Sequence, residues 1–189
     1  MGGSYYSLQE FRGKALQYND LMRTYLFQVI IDAIPKKFGT SPGAIGKDDI
    51  IYFVSKTNFP EMTSEEIKVP WMNSDIKLAG RTSFGDWNVT VRDTRNGDVF
   101  KFFRKWHELN FSISPGYNTE VQTGAAVYAN DMVGKFTLIL LDPTGAESSM
   151  KLHLYNVWVA KVGGPSLSMG DNNIAEFEVN LKFDYFTVE

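Results

Sequence analysis

The stretch DWNVTVRDTRNGDVFKFFRKWHELN, residues 86–110, holds two periodicities in succession. In its first third Trp87, Val89 and Val91 alternate with Asp86, Asn88, Thr90 and Arg92, the period of two of a strand with one dry and one wet face. From Asp98 onward Val99, Phe102, Phe103, Trp106 and Leu109 recur at steps of three and four, the period of a helix that lays an apolar stripe on a core. Asp98 falls in the first turn and Lys101, Arg104 and Lys105 later, the order that the helix dipole favours. A strand running through a turn into such a helix predicts a helix packed on a sheet.

Outward from there the pattern is mostly strand. Runs rich in apolar and β-branched residues occur at 25–34, 50–57, 65–71, 75–80, 125–131, 135–142, 149–162 and 173–186. The first two predict a splayed hairpin joined by the polar, Gly/Pro/Ser-rich loop 35–49. Pro70 cannot donate to a ladder, so the strand around it belongs at an edge or is broken there. Asp142-Pro143-Thr144-Gly145 has the signature of a type I turn, which predicts that 135–142 and 149–162 pair. The apolar phase of the latter slips after Leu154, predicting a bulge near Asn156. Residues 173–186 alternate throughout and are expected to form one strand. Ser7 and Glu10 are spaced as a capping box for a weakly amphipathic helix carrying Leu8, Phe11, Ala15 and Tyr18, expected as an arm within residues 1–24. The expected fold is mainly β with one or two helices (α+β): an antiparallel sandwich or barrel flanked by a helix, in a single domain over 1–189.

Composition narrows the function. The 189 residues carry a net charge of −3 and no Cys. A domain of that length removes roughly 70% of its unfolded surface from water and needs no covalent staple. Without Cys there are no disulfides, thiolate metal sites or thiol catalysis. Near-balanced charge argues against a dedicated nucleic-acid or polybasic membrane surface. No amino-terminal targeting segment is apparent, and apolar runs such as 137–141 are far too short to cross a bilayer, so a soluble protein is expected.

Catalytic constellations are lacking. His107 lies among Arg104, Lys105 and Glu108 on the helix, and His153 on the polar side of a strand; both read as solvated side chains rather than general bases. The carboxylate pairs Asp48/Asp49, Glu65/Glu66 and Glu176/Glu178 have no apolar pocket signature, and the Gly-rich stretches lack phosphate-binding spacing. No cofactor or metal is expected. Two strands are apolar on both faces: in 25–34, Tyr25, Phe27, Val29, Ile31 and Ala33 oppose Leu26, Ile30 and Ile34, and in 136–141, Phe136, Leu138 and Leu140 oppose Ile139 and Leu141. One helix cannot cover all of that, so either subunit contacts or a three-layer or closed-barrel monomer must.

The stretch IKVPWMNSDIKLAGRTSFGDWNVTVRDT (67–94), followed by the helix ending FRKW, resembles the tail tube proteins of contractile-tailed (T4-like) bacteriophages. The likeness rests on Trp71, Met72 and Asn73, on the strand end at Gly80, on the turn with Phe84, Asp86 and Trp87, and on Trp106. DNNIAEFEVNLKFDYF (171–186), with Phe177 and Tyr185, resembles the same family's last strand. The resemblance implies a tail tube fold and a structural protomer. Hexameric rings would stack into a DNA-conducting channel inside a contractile sheath, with loops 35–49 and 57–75 in subunit or ring contacts. The implied partners are further copies of the chain, the sheath protein, and baseplate and neck or terminator proteins. Tape measure protein and double-stranded DNA would pass through the lumen without specific binding, and no membrane is involved. The place is the virion tail, after assembly in the host cytoplasm. A baseplate tube initiator, the inner tube of a phage-derived injection machine, a monomeric ligand-binding β-barrel and an enzyme with a scattered site are the alternatives.

Overall fold

The computed structural model describes residues 7–17, 21–38, 45–109, 129–165, 167–170 and 172–189. In chain order the elements are α1 (Leu8–Gln17), β1 (Phe27–Ala33), two 3-10 turns (Lys36–Phe38 and Lys47–Tyr52), β2 (Val54–Thr57), β3 (Met62–Trp71), β4 (Ser74–Phe84), β5 (Trp87–Arg92), α2 (Asp98–Glu108), the short α3 (Ala129–Met132), β6 (Gly134–Leu141), β7 (Glu147–Val162), β8 (Glu176–Lys182) and β9 (Tyr185–Val188). Among the described residues seven strands form one antiparallel sheet in the order β1-β6-β7-β8-β5-β2, with β9 on β7, while β3 and β4 pair only with each other.

The sheet folds over at β7. The first half of this strand pairs with β6 and β9 and its second half with β8. Between the halves the register slips at Leu154/Val157, and Asn156 stands at φ 55°, a left-handed conformation that Asn tolerates better than most side chains. The bulge expected there is the fold's corner. The two halves then meet face to face. Trp87 of β5 touches Phe136 of β6 edge-on at 5.8 Å, and Trp106 of α2 stacks on the same ring at 5.6 Å. Both indoles are buried with their N–H groups satisfied: Trp87 donates to the Asn58 carbonyl at 2.7 Å and Trp106 to that of Met132 at 3.1 Å. Gly134 starts β6 where a Cβ would lie 2.4 Å from the Ala33 carbonyl oxygen and 2.7 Å from the Trp106 ring, so only glycine lets the helix close on the sheet.

Helix α2 forms as its periodicity demands, with Val99, Phe102, Phe103 and Trp106 buried. Its amino end is held by residues the periodicity does not reveal. Asp93 Oδ1 accepts the backbone N–H groups of Val99 at 3.2 Å and Phe100 at 3.4 Å, and Thr94 Oγ1 accepts that of Asp98 at 3.0 Å. The turn after β6 closes as its sequence predicts, with the Gly145 N–H donating to the Asp142 carbonyl at 2.9 Å.

Several expectations are corrected. Strand β1 pairs with β6 and β2 with β5, so 25–34 and 50–57 are not a hairpin. The connection between them is no simple polar loop: its two 3-10 turns place Phe38 and Ile50 in the core, and Ile45 is buried beside them. Apolar residues used as plugs rather than as a strand face read like a strand in sequence. Residues 129–132 form a helical turn rather than strand, while 125–128 lie outside the described residues. The run 173–186 is two strands, broken at Phe183 and Asp184, where the chain passes from β8 to β9 and changes phase: Phe183 is buried, Tyr185 exposed and Phe186 packed on the core. Most of 57–75 is a β-hairpin instead of a loop. The second face of β6 is not left open either. Ile139, 4% exposed, is buried between its register neighbours Gln28 and Lys151. Finally, among the described residues β1 and β2 end the strand order without pairing to each other, so these strands form an open sandwich and not a closed barrel.

Two outcomes are expected. Trp87→Ala should cost about 3–5 kcal/mol in urea unfolding, as the loss of a large core side chain. The Asp142 carboxyl is held below the usual aspartate range, first by the Thr144 hydroxyl at 2.6 Å and then, against some desolvation, by the backbone N–H groups of Ala146, Thr144 and Gly145. A lowered carboxylate stabilises above its unfolded-state value and loses that contribution as pH falls through the lower folded one. NMR titration should therefore show the Thr144 and Ala146 amides losing exchange protection at the Asp142 midpoint, and Asp142→Ala should remove this pH dependence.

Candidate functional site: an assembly surface

Strands β3 and β4 extend away from the core as an amphipathic hairpin. Its ladder pairs Ile67 with Leu78 and Val69 with Ile76, which places these four and Trp71 on one face. The other face carries Glu66, with Lys77 at 3.4 Å and Lys68 at 3.7 Å. Every residue of β3 is exposed, and in β4 only Gly80 and Phe84 are even half-buried. A two-stranded hairpin alone is marginal in water. This one turns its apolar face to solvent, an arrangement of the kind that marks interaction surfaces.

Local details support that geometry. At the tip, Trp71 pairs with Ser74 across a two-residue loop in which Met72 stands at φ 51° and is 95% exposed. A left-handed, solvent-facing methionine is unfavourable for the isolated chain, and such strain concentrates at functional positions. Near the base, Ser64 pairs with Thr82 and Glu66 with Ala79, leaving one extra residue on β4 at Gly80 and Arg81. A Cβ on Gly80 would lie 3.0 Å from the Glu65 carbonyl oxygen and 3.0 Å from Ile67, so the glycine permits the bulge. The sequence reading ended the strand at Gly80, whereas β4 runs on to Phe84 with the bulge inside it. Phe84 roots the hairpin, meeting Phe183 at 5.8 Å and Phe186 at 5.7 Å.

The ten residues singled out by sequence thus separate into three places. Trp71, Met72, Asn73, Gly80 and Phe84 belong to the hairpin and its root. Trp87, Trp106 and Phe177 are core pins, the last packed edge-on to Phe100 at 5.5 Å. Asp86 and Tyr185 are on the surface: Asp86 accepts from Asn180 at 3.2 Å and lies 3.4 Å from Lys182, while Tyr185 stacks on Tyr155 at 4.7 Å. Sequence reasoning missed one polar cluster, on the outer face of β1, β6 and β7. There the buried Thr137 hydroxyl donates to Asp32 at 2.5 Å and lies 2.8 Å from His153 Nδ1, and His153 Nε2 is 3.4 Å from Glu189. With its own proton given to Asp32, Thr137 accepts from His153, which fixes the ring as an Nδ1–H donor. The cluster is spread along the outer face of three neighbouring strands.

The family model for phage tail tube proteins matches residues 22–189. The chain is 28% identical over 175 residues to the tail tube protein gp19 of Enterobacteria phage T4, covering 92% of this chain and 95% of that one, and equally to gp19 of Enterobacteria phage T6. Among solved structures it resembles a chain of the anti-feeding prophage baseplate, with a TM-score of 0.60, 10% identity and coverage of 89% and 95%. It also resembles a chain of the sheath-tube complex of the extracellular contractile injection system PVC, with a TM-score of 0.51, 16% identity and coverage of 98% and 99%. At those identities the likeness is one of fold.

The hairpin bulge is open to a direct check. Gly80→Val should speed amide exchange across residues 64–82 at least tenfold while leaving the thermal midpoint of the core unchanged, because no core side chain rests on that face.

Proposed function

The chain belongs to the phage tail tube protein family, which makes its role structural rather than catalytic, and from that premise we propose that it assembles into hexameric rings stacked as the DNA-conducting tube inside a contractile sheath. The observation that carries the assembly reading is the hairpin: an apolar face of Ile67, Val69, Trp71, Ile76 and Leu78 that the protomer itself does not bury. On the order of 1–2 kcal/mol is gained for each such side chain that a neighbour covers, and the gain recurs in every subunit of a closed ring. Among the described residues no further strand pairs with β1 or β2, and strand edges that would be a hazard in a monomer serve as joints. Loop 35–49 and the segment 57–75 are assigned to these subunit and ring contacts.

The partners follow from the assembly. Six-fold symmetry is stated for the anti-feeding prophage baseplate, and the PVC complex is one of sheath and tube. For this chain they support rings of six with sheath and baseplate proteins as neighbours; neck or terminator proteins, and the tail of a virion built in the host cytoplasm, belong to the same proposal. Tape measure protein and double-stranded DNA pass through the lumen. A conduit must not hold phosphates, because each one neutralised adds counterion-release affinity and slows transit. The net charge of −3, repeated around each ring, disfavours such holding.

Ile67→Asp combined with Leu78→Asp tests the hairpin's part. Electron microscopy should show rings and tubes for the wild type and none for the variant, while its unfolding midpoint stays within about 0.5 kcal/mol, the range for surface changes. Tubes formed normally by the variant would remove the hairpin from the joint.

A further inference from the structure

The open seam of the sandwich leaves a mouth into the core. Between β1 and β6 on one side and the chain following β2 on the other lies a cavity of about 200 Å³ whose lining is mostly apolar, from Met22, Phe27, Phe59, Leu138 and Leu140, with residues 23–24 and 57–58 adding polar groups. Phe27, Leu138 and Leu140 share the strand parity of the buried Val29 and Phe136, so the cavity is an uncovered margin of the core and not a surface dimple. Its chemistry calls for an apolar side chain.

Helix α1 has the complementary deficit. Its capping box is complete, with the Ser7 N–H donating to Glu10 at 2.9 Å and the Glu10 N–H to Ser7 Oγ at 3.1 Å, so its start is specified by sequence. Leu8, Phe11 and Ala15 form a stripe at helical spacing, yet no residue of the helix is buried. Ten residues are too few to hold a helix in water unaided, and the stripe therefore needs a partner. The flat apolar face of the β3–β4 hairpin suits a sheet. The narrow stripe of α1, with a phenyl ring at its centre, suits a recess.

We propose that α1 of one copy seats Phe11 and Leu8 in this cavity of a second copy, an arm exchange that caps each sandwich's open seam with its neighbour's helix. It deepens the tube reading and rests on it in one respect, that copies assemble. Such a contact joins two different surfaces and so propagates around a ring or along a stack. The residues from Met22 onward, which follow the arm, already form one wall of the cavity. Each subunit thus offers its arm and its recess side by side, and an arm passed on to the next copy leaves the donor's own recess free for another.

The absence of Cys makes a cross-linking test clean. In the Phe11→Cys, Phe59→Cys double variant, oxidation of the assembled protein should give covalent ladders longer than dimers on a non-reducing gel, which neither single variant can form. An intramolecular disulfide alone, or no cross-link in a sample that contains tubes, would overturn arm exchange and leave the tube reading standing. Independently, Phe11→Asp should raise the concentration needed for tube formation at least tenfold without moving the thermal midpoint of the unassembled chain; unchanged assembly would again overturn it. A wild-type chain that forms no assembly at any concentration would overturn the tube reading itself.

Discussion

The structure depends on one strand that serves two sheet halves. With 16 residues, β7 is the longest strand, and its turn from one half into the other at Asn156 is what brings β6 and β5 face to face. The corner is tied twice: Asn156 Nδ2 donates to Asp184 at 2.6 Å, and the Asp184 N–H donates to the Tyr155 carbonyl at 3.1 Å. Asp184 is also where β8 gives way to β9, so both breaks occur at one point and lock each other. Around this corner the Trp87, Phe136 and Trp106 rings fill the space between the halves, and Gly134 gives α2 its close approach.

A core closed this way sets the division of labour. The aromatic pins do their work inside, while the β3–β4 hairpin meets the core through Phe84 at its root. The fold stops at β1 and β2 without closing, which leaves the seam beside Phe27 and Leu138 unsealed. Both features are costs for a lone protomer and assets for a repeating assembly, where the same contact recurs in each subunit.

Elements governed by local periodicity were legible in the sequence. The strand at Trp87–Arg92 and the helix at Asp98–Glu108 stand where their spacing requires, as do the turn at Asp142 and the slip near Asn156. Apolar content without periodicity misled. Ile50 lies in a 3-10 turn that plugs the core, and the break after Lys182 is invisible because Phe183, Tyr185 and Phe186 satisfy either phase. Of the assembly surface, the shared face of Ile67, Val69 and Trp71 was readable from alternation, but alternation cannot say whether a dry face meets its own core or another molecule.

The sequence by itself determined which residues alternate, which wind, where the chain turns, and that its chemistry is one of surfaces rather than catalysis. Only the tertiary structure decided which strands pair, that the sheet stays open, and that the hairpin's apolar face and the stripe of α1 look outward. Periodicity is a property of neighbours in the chain and survives without a fold. Pairing and exposure depend on contacts between distant residues, and the bend at Asn156 and the glycine at 134 allow one set of them.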